Sequence, residues 1–140
     1  MPQLDHEMKY RRLGKTNLRV SVFSVGTMRS LASPQNFRAT LLRAFSLGIN
    51  HVETAQAYGQ SELWLGELFR DMRQGLVDEG GKSFVQPIVT TKVLPTADRA
   101  SMAEQIEQSL QRLQLDSLDC LALHGINTEQ HLRWIKDPDG

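Results

Sequence analysis

His51-Val52-Glu53-Thr54-Ala55-Gln56-Ala57-Tyr58-Gly59 joins a short apolar run to a polar loop, and two later stretches repeat its form. They are Val89-Thr90-Thr91-Lys92-Val93 and Leu118-Asp119-Cys120-Leu121-Ala122-Leu123-His124-Gly125. In each, a chemically active side chain comes at or just after the end of the run. If the strands are parallel, those ends meet on one rim of a sheet, where α/β proteins place their chemistry. Glu53, Tyr58, Lys92 and His124 would then gather a carboxylate, a phenol, an ammonium and an imidazole, a set able to protonate a carbonyl oxygen.

Outward from these stretches, strand alternates with helix. Residues 10–20 read as a hairpin around the turn-prone Gly14-Lys15-Thr16-Asn17, and residues 22–26 as a first short strand. Ser33-Pro34 predicts an N-cap followed by proline at the first helical position. Phe37, Leu41, Ala44 and Phe45 fall on one face of that helix, and Gly48 supplies its stop. A second strand is expected over residues 49–55. Ser61 is expected to cap the next helix, whose buried stripe is Leu65, Leu68, Phe69 and Met72. Residues 73–86 form a polar connection, and residues 87–93 a third strand. Ser101-Met102-Ala103-Glu104 fits a capping box, with Ile106, Leu110 and Leu113 following at helical spacing. Residues 118–124 are nearly continuous in apolar character, as a strand buried on both faces would be.

Each strand–helix unit takes about 30 residues, the size that builds a parallel sheet. Eight such units in about 250 residues close a (β/α)8 barrel. The expectation is therefore an α/β chain holding the hairpin and roughly the first four units of a TIM barrel. Residues 1–7 read as a loose leader and residues 8–140 as the domain. Sixteen Lys+Arg balance sixteen Asp+Glu, which gives no reason to expect a nucleic-acid partner. No apolar run approaches the roughly 20 residues of a membrane span, so no membrane partner is expected. The charged N-terminus lacks the apolar core of a signal peptide. Cys120 is the single cysteine, which excludes an intrachain disulfide and a cysteine-cluster metal site and points to a cytoplasmic, reduced setting.

These residues resemble the aldo/keto reductase family. Tyr10-Arg11-Arg12-Leu13-Gly14-Lys15-Thr16-Asn17-Leu18-Arg19-Val20-Ser21 is similar to its opening hairpin, which plugs the bottom of the barrel. Gly48-Ile49-Asn50-His51-Val52-Glu53-Thr54-Ala55, with Tyr58-Gly59 and Ser61-Glu62, resembles its most characteristic motif. Thr91-Lys92 and Leu123-His124 resemble its third and fourth strand ends. The resemblance runs from Met8 to the end of the chain, at the length of the family's N-terminal half.

It implies a tetrad of Tyr58, Lys92, His124 and an acid, with glutamate at position 53 where the family usually has aspartate. In that family a nicotinamide cofactor, taken here as NADPH, delivers hydride to a small-molecule carbonyl while tyrosine protonates the oxygen. A free phenol, with a pKa of about 10, exchanges protons poorly near neutrality, and a neighbouring ammonium favours its anion. Lys92 would supply that field, Glu53 would orient it, and His124 would direct an N–H at the oxygen as it becomes negative. Gly26, Thr27 and Met28, after the first strand, would touch cofactor or substrate.

The family's second half, which holds most of the cofactor site, lies outside this sequence, so the chain reads as a fragment of the oxidoreductase. A non-catalytic regulatory or binding module on the same fold is one alternative. An obligate half-barrel homodimer is another, since open sheet edges favour self-association. Elsewhere the plain readings are preferred. His51 is structural, Cys120 a small buried side chain, Trp64 and Trp134 packing residues, and His6 and His131 surface residues.

Overall fold

The computed structural model describes residues 7–77 and 84–137. All of the expected leader except Glu7, the centre of the polar connection and residues 138–140 lie outside the described residues. The hairpin forms as β1 (Tyr10–Arg12) and β2 (Arg19–Ser21), paired antiparallel. Four strands then build one parallel sheet in sequential order: β3 (Val25–Gly26), β4 (His51–Glu53), β5 (Ile88–Val93) and β6 (Cys120–Leu123). Parallel neighbours need long crossovers, and these are α1 (Pro34–Ser46), α2 (Ser61–Arg73) and α3 (Arg99–Leu113). A further helix, α4 (Glu129–Lys136), follows β6. Sequential parallel strands joined by helices are the repeating unit of a (β/α) barrel, and four of its strands are present.

The strands are shorter than their apolar runs suggest, because the ladder ends where the chain turns into a loop. Ser33 caps α1 as expected, accepting a hydrogen bond from the Asn36 amide at 3.1 Å, with Pro34 at the first position. Gly48 follows α1 with φ +88°, and a Cβ there would lie 2.8 Å from that of Met8, so both conformation and space call for glycine. Two cap expectations are corrected. At α2 the cap position is Gln60, which makes no side-chain cap bond, and Ser61 is instead buried with its hydroxyl bonded to Thr54 and Thr27. At α3 the cap is Asp98, not Ser101. Its carboxylate accepts both the amide and the hydroxyl of Ser101 at 2.8 Å, a stronger acceptor than a serine hydroxyl can offer.

Alternation along the strands sorts their side chains onto two faces. Val52, Val89, Thr91 and Val93 are buried toward the helices. There Phe37 and Leu41 of α1, Leu65, Leu68, Phe69 and Met72 of α2, and Leu113 of α3 form the core. Helices α2 and α3 approach so closely that a Cβ on Gly66 would stand 2.1 Å from the carbonyl oxygen of Arg112. His51, Glu53, Thr90 and Lys92 take the opposite, partly exposed face.

The expectation that β6 is buried on both faces is corrected. Leu121 is 45% exposed and Leu123 36%. Leu123 pairs with Val93 and so faces the helix layer, where α4 buries none of its own residues. Val22 is also exposed, whereas Val25 packs against the core.

The hairpin lies across the opposite end of the sheet from the strand C-termini. Tyr10 donates its hydroxyl to Gly48 O at 2.8 Å. Asn50, just before β4, accepts from the Ser21 amide and donates to Arg19 O.

Candidate active site

The C-terminal ends of β4, β5 and β6 bring Glu53, Lys92 and His124 to one rim, and the loop after β4 returns Tyr58 to it. Lys92 Nζ stands 2.6 Å from Glu53 Oε1 and 3.3 Å from Tyr58 Oη. The same ammonium donates to Thr54 O at 3.2 Å and sits 4.9 Å from the centre of the Tyr58 ring. The His124 ring meets that of Tyr58 edge to face, with centroids 5.5 Å apart. Its Nδ1 is buried without a hydrogen-bond partner among the described residues. Lys92 is mostly buried and Glu53 about half exposed, so the cation is held inside the wall while its counter-ion borders solvent.

Local hydrogen bonds fix the loop that carries Tyr58. Gln56 N donates to Lys92 O, Tyr58 N to Ala55 O and Ser61 N to Tyr58 O, each at 3.0 Å. Three hydroxyls close its base. Thr54 Oγ1 lies 2.7 Å from Ser61 Oγ, which donates to Thr27 Oγ1 at 2.7 Å, and Thr27 donates in turn to Glu53 O. All three residues are fully buried. Gly59, at φ +53°, makes the turn into α2.

Beneath Lys92, its neighbour Thr91 donates to the buried Glu62 at 2.6 Å, and Arg112 of α3 donates Nε to the other Glu62 oxygen at 2.7 Å. A buried carboxylate is tolerated only when paired in this way. Sequence reasoning named neither support, because Thr54, Thr91 and Glu62 stand in the motifs with no role attached, Arg112 lies outside them, and the backbone oxygen of Thr54 leaves no trace in residue type.

Of the three residues proposed beside the cofactor, Gly26 and Met28 are exposed at the end of β3. Thr27 is fully buried, and its hydroxyl is committed within the wall. His51, on the same face but at the other end of β4, bonds Ser24 Oγ at 2.7 Å and Thr90 Oγ1 at 2.8 Å. Burial pushes its imidazole below the usual value, and the charges of Glu53 and then Asp119 offset this in part. That is a structural histidine, as expected. Cys120 is half-buried. Trp64 packs edge-on against Phe37, and Trp134 lines a groove with Met102, Ile106 and Leu123. Among the described residues no His, Cys, Asp and Glu cluster has the makings of a metal site, and no helix is long and apolar enough to cross a membrane.

Comparison with known proteins finds relatives of the same fold. The uncharacterized oxidoreductase YqkF of Bacillus subtilis is 28% identical over 137 residues, covering 89% of this chain and 42% of that protein. The holo form of the aldo-keto reductase AKR11C1 from Bacillus halodurans superimposes with a TM-score of 0.70 at 29% identity, covering 83% of this chain and 40% of that one. An aldo-keto reductase of Bombyx mori in complex with NADP gives a TM-score of 0.64 at 25% identity, covering 84% of this chain and 38% of that one. The chain spans less than half the length of each of these relatives. The model of the aldo/keto reductase family matches residues 23–135. With strands in that order and a match over most of its length, the chain belongs to the aldo/keto reductase family.

Proposed function

We propose that this chain carries the acid–base part of a site that reduces a small-molecule carbonyl to an alcohol, with NADPH as hydride donor. The observation that supports this best is the placing of Lys92 Nζ between Glu53 and Tyr58 Oη, 2.6 and 3.3 Å away. The residues present fit the carbonyl end of such a reaction. Tyr58 Oη has a cation behind it, and the unpartnered Nδ1 of His124 is the kind of buried polar atom that functional sites retain. When bound, NADPH supplies the hydride. Gly26 and Met28, exposed on the rim, would line the cofactor.

Tyr58 would give its proton to the carbonyl oxygen as charge develops there, and the phenolate left behind would face the Lys92 ammonium. At 3.3 Å and an effective dielectric of about 20, that attraction is worth about 5 kcal/mol. The lysine therefore acts where the reaction places charge, which is the requirement for lowering a barrier. Glu53 would hold the ammonium at the strand end, and the edge of His124 would orient the substrate oxygen against Tyr58.

The test joins residues 1–140 to the C-terminal half of a family member and follows NADPH absorbance with a panel of aldehydes. The joined protein should turn over, with Tyr58→Phe lowering kcat by roughly 100-fold or more. Turnover that survives Tyr58→Phe and Lys92→Met would overturn the reading.

A further inference from the structure

The neutrality of the whole chain conceals a sharp segregation of charge. Residues 8–52 hold eight of the sixteen Lys+Arg and none of the sixteen Asp+Glu. The hairpin of β1 and β2 concentrates this charge. Lys9, Arg11, Arg12, Lys15 and Arg19 are all exposed, and none forms an ion pair with a described residue. Arg12 and Arg19 stand directly opposite each other across the two strands, a like-charge pairing that destabilises a ladder unless an anion lies near. Arg43, in the last turn of α1, is exposed at the same end of the sheet. Asp116 and Asp119, also at that end, precede β6 on the far side, where Arg73 of the last turn of α2 is the exposed cation.

The outward face of the hairpin is also apolar. Tyr10 and Ser21 point into the body, where they bond Gly48 O and Asn50. Alternation then puts Arg11 and Val20, a register pair, on the outer face. The bond from Val22 N to Lys9 O extends the ladder and adds Lys9 and Val22 to that face. Phe23, next in sequence, is 65% exposed. Cations interleaved with aliphatic and aromatic side chains match a surface with negative headgroups over an apolar interior. A nucleic-acid surface would more naturally use polar groups between its cations.

We propose that the hairpin is a docking surface for an anionic lipid bilayer. It would hold the strand N-terminal end of the sheet against the headgroups and leave the rim bearing Tyr58 facing away. The lysines and arginines supply attraction, and Val22 and Phe23 enter the interfacial layer. This docking does not depend on the proposed reductase chemistry.

The test floats the 140-residue chain with vesicles of phosphatidylcholine alone and of phosphatidylcholine with about one third phosphatidylserine. Binding is expected only to the anionic vesicles and is lost in about 0.5 M salt, where screening is short-ranged. Each removed charge should weaken partitioning about fivefold, so combining Lys9→Gln, Arg11→Gln and Lys15→Gln should weaken it by about two orders of magnitude. Arg12 is left in place because it braces the turn by donating to Thr16 O and Lys15 O. Phe23→Ser should weaken binding without changing its salt dependence, and Arg133→Gln with Lys136→Gln should have no effect. The proposal fails if wild-type protein ignores anionic vesicles, floats equally with neutral ones, or binds a DNA duplex in preference to either. It also fails if the threefold variant floats as wild type does.

Discussion

Glu53 places a carboxylate one methylene further from the backbone than aspartate would, yet its oxygen still reaches Lys92 Nζ at 2.6 Å. A change of side-chain rotamer can take up the extra length without moving the strand. In the joined barrel, Glu53→Gln should release the ammonium and lower kcat more than it changes KM, while Glu53→Asp should retain most of the rate. Steady-state kinetics of both variants check this, and an unchanged rate in Glu53→Gln would reduce the proposed tetrad to three. His51 sets a second residue-level expectation. Its folded pKa lies below the unfolded 6.5 because burial disfavours the charged form. Between those two values the unfolded chain binds a proton that the folded chain refuses, so stability is full above 6.5 and falls as the pH drops below it. Urea midpoints should fall between about pH 7.5 and 5.5, and His51→Gln should flatten that slope. Residue types at the rim were legible in the sequence because each follows an apolar run. The bonds that Thr54 O and Glu62 accept were not, since they depend on how two neighbouring elements meet.

Elements were legible wherever an apolar period was long. The buried stripe of α2 is the expected Leu65, Leu68, Phe69 and Met72. In α3 only Leu113 of the three expected positions is fully buried, because Ile106 and Leu110 lie nearer the open side of the layer. Helix α4 went unread, since eight residues give too few turns for a period to stand out. The caps of α2 and α3 were misread because serine is a good cap in general, and here Asp98 and the buried hydroxyls compete for it. Gly66 was legible only as a residue within a helix. Its meaning lies in the contact with Arg112 O, where the obstacle is backbone and cannot rotate away. Gly66→Ala should therefore push α2 and α3 apart and destabilise the chain toward the upper end of the about 1–3 kcal/mol typical of overpacking. Denaturant unfolding checks this, with exposed Gly75→Ala as a control for strain at a positive φ of 68° without crowding.

At the scale of the molecule, the parallel sheet, its order and its helical layer follow from the spacing of strand and helix. What spacing does not reveal is which faces stay uncovered. Strands β3 and β6 are the edges of the described sheet, and Val22, Leu121 and Leu123 are exposed near them. Unpaired edges bordered by apolar side chains promote association. Residues 1–140 in isolation should therefore elute as dimers or larger species, measured by light scattering coupled to size exclusion. Leu121→Lys, which places a charge on the β6 edge, should shift the distribution toward monomer. A stable monomer of the unsubstituted chain that binds no apolar dye would contradict this expectation.

The relay of hydroxyls from Thr54 through Ser61 to Thr27 makes the segment between β4 and α2 a closed ring of chain tied at its neck. Opening it would strip the Thr54 and Ser61 oxygens of their partners together, while Thr27 keeps its bond to Glu53 O, at a cost of roughly 1–3 kcal/mol for each group left unsatisfied. Solvent deuterium should therefore reach the amides of Gln56, Tyr58 and Ser61 on the slow timescale of the core, unlike the amides of an ordinary surface loop. Thr54→Val should speed that isotope uptake while leaving the exchange of the α1 amides unchanged. The phenol would then approach its substrate already immobilised, with little entropy left to lose.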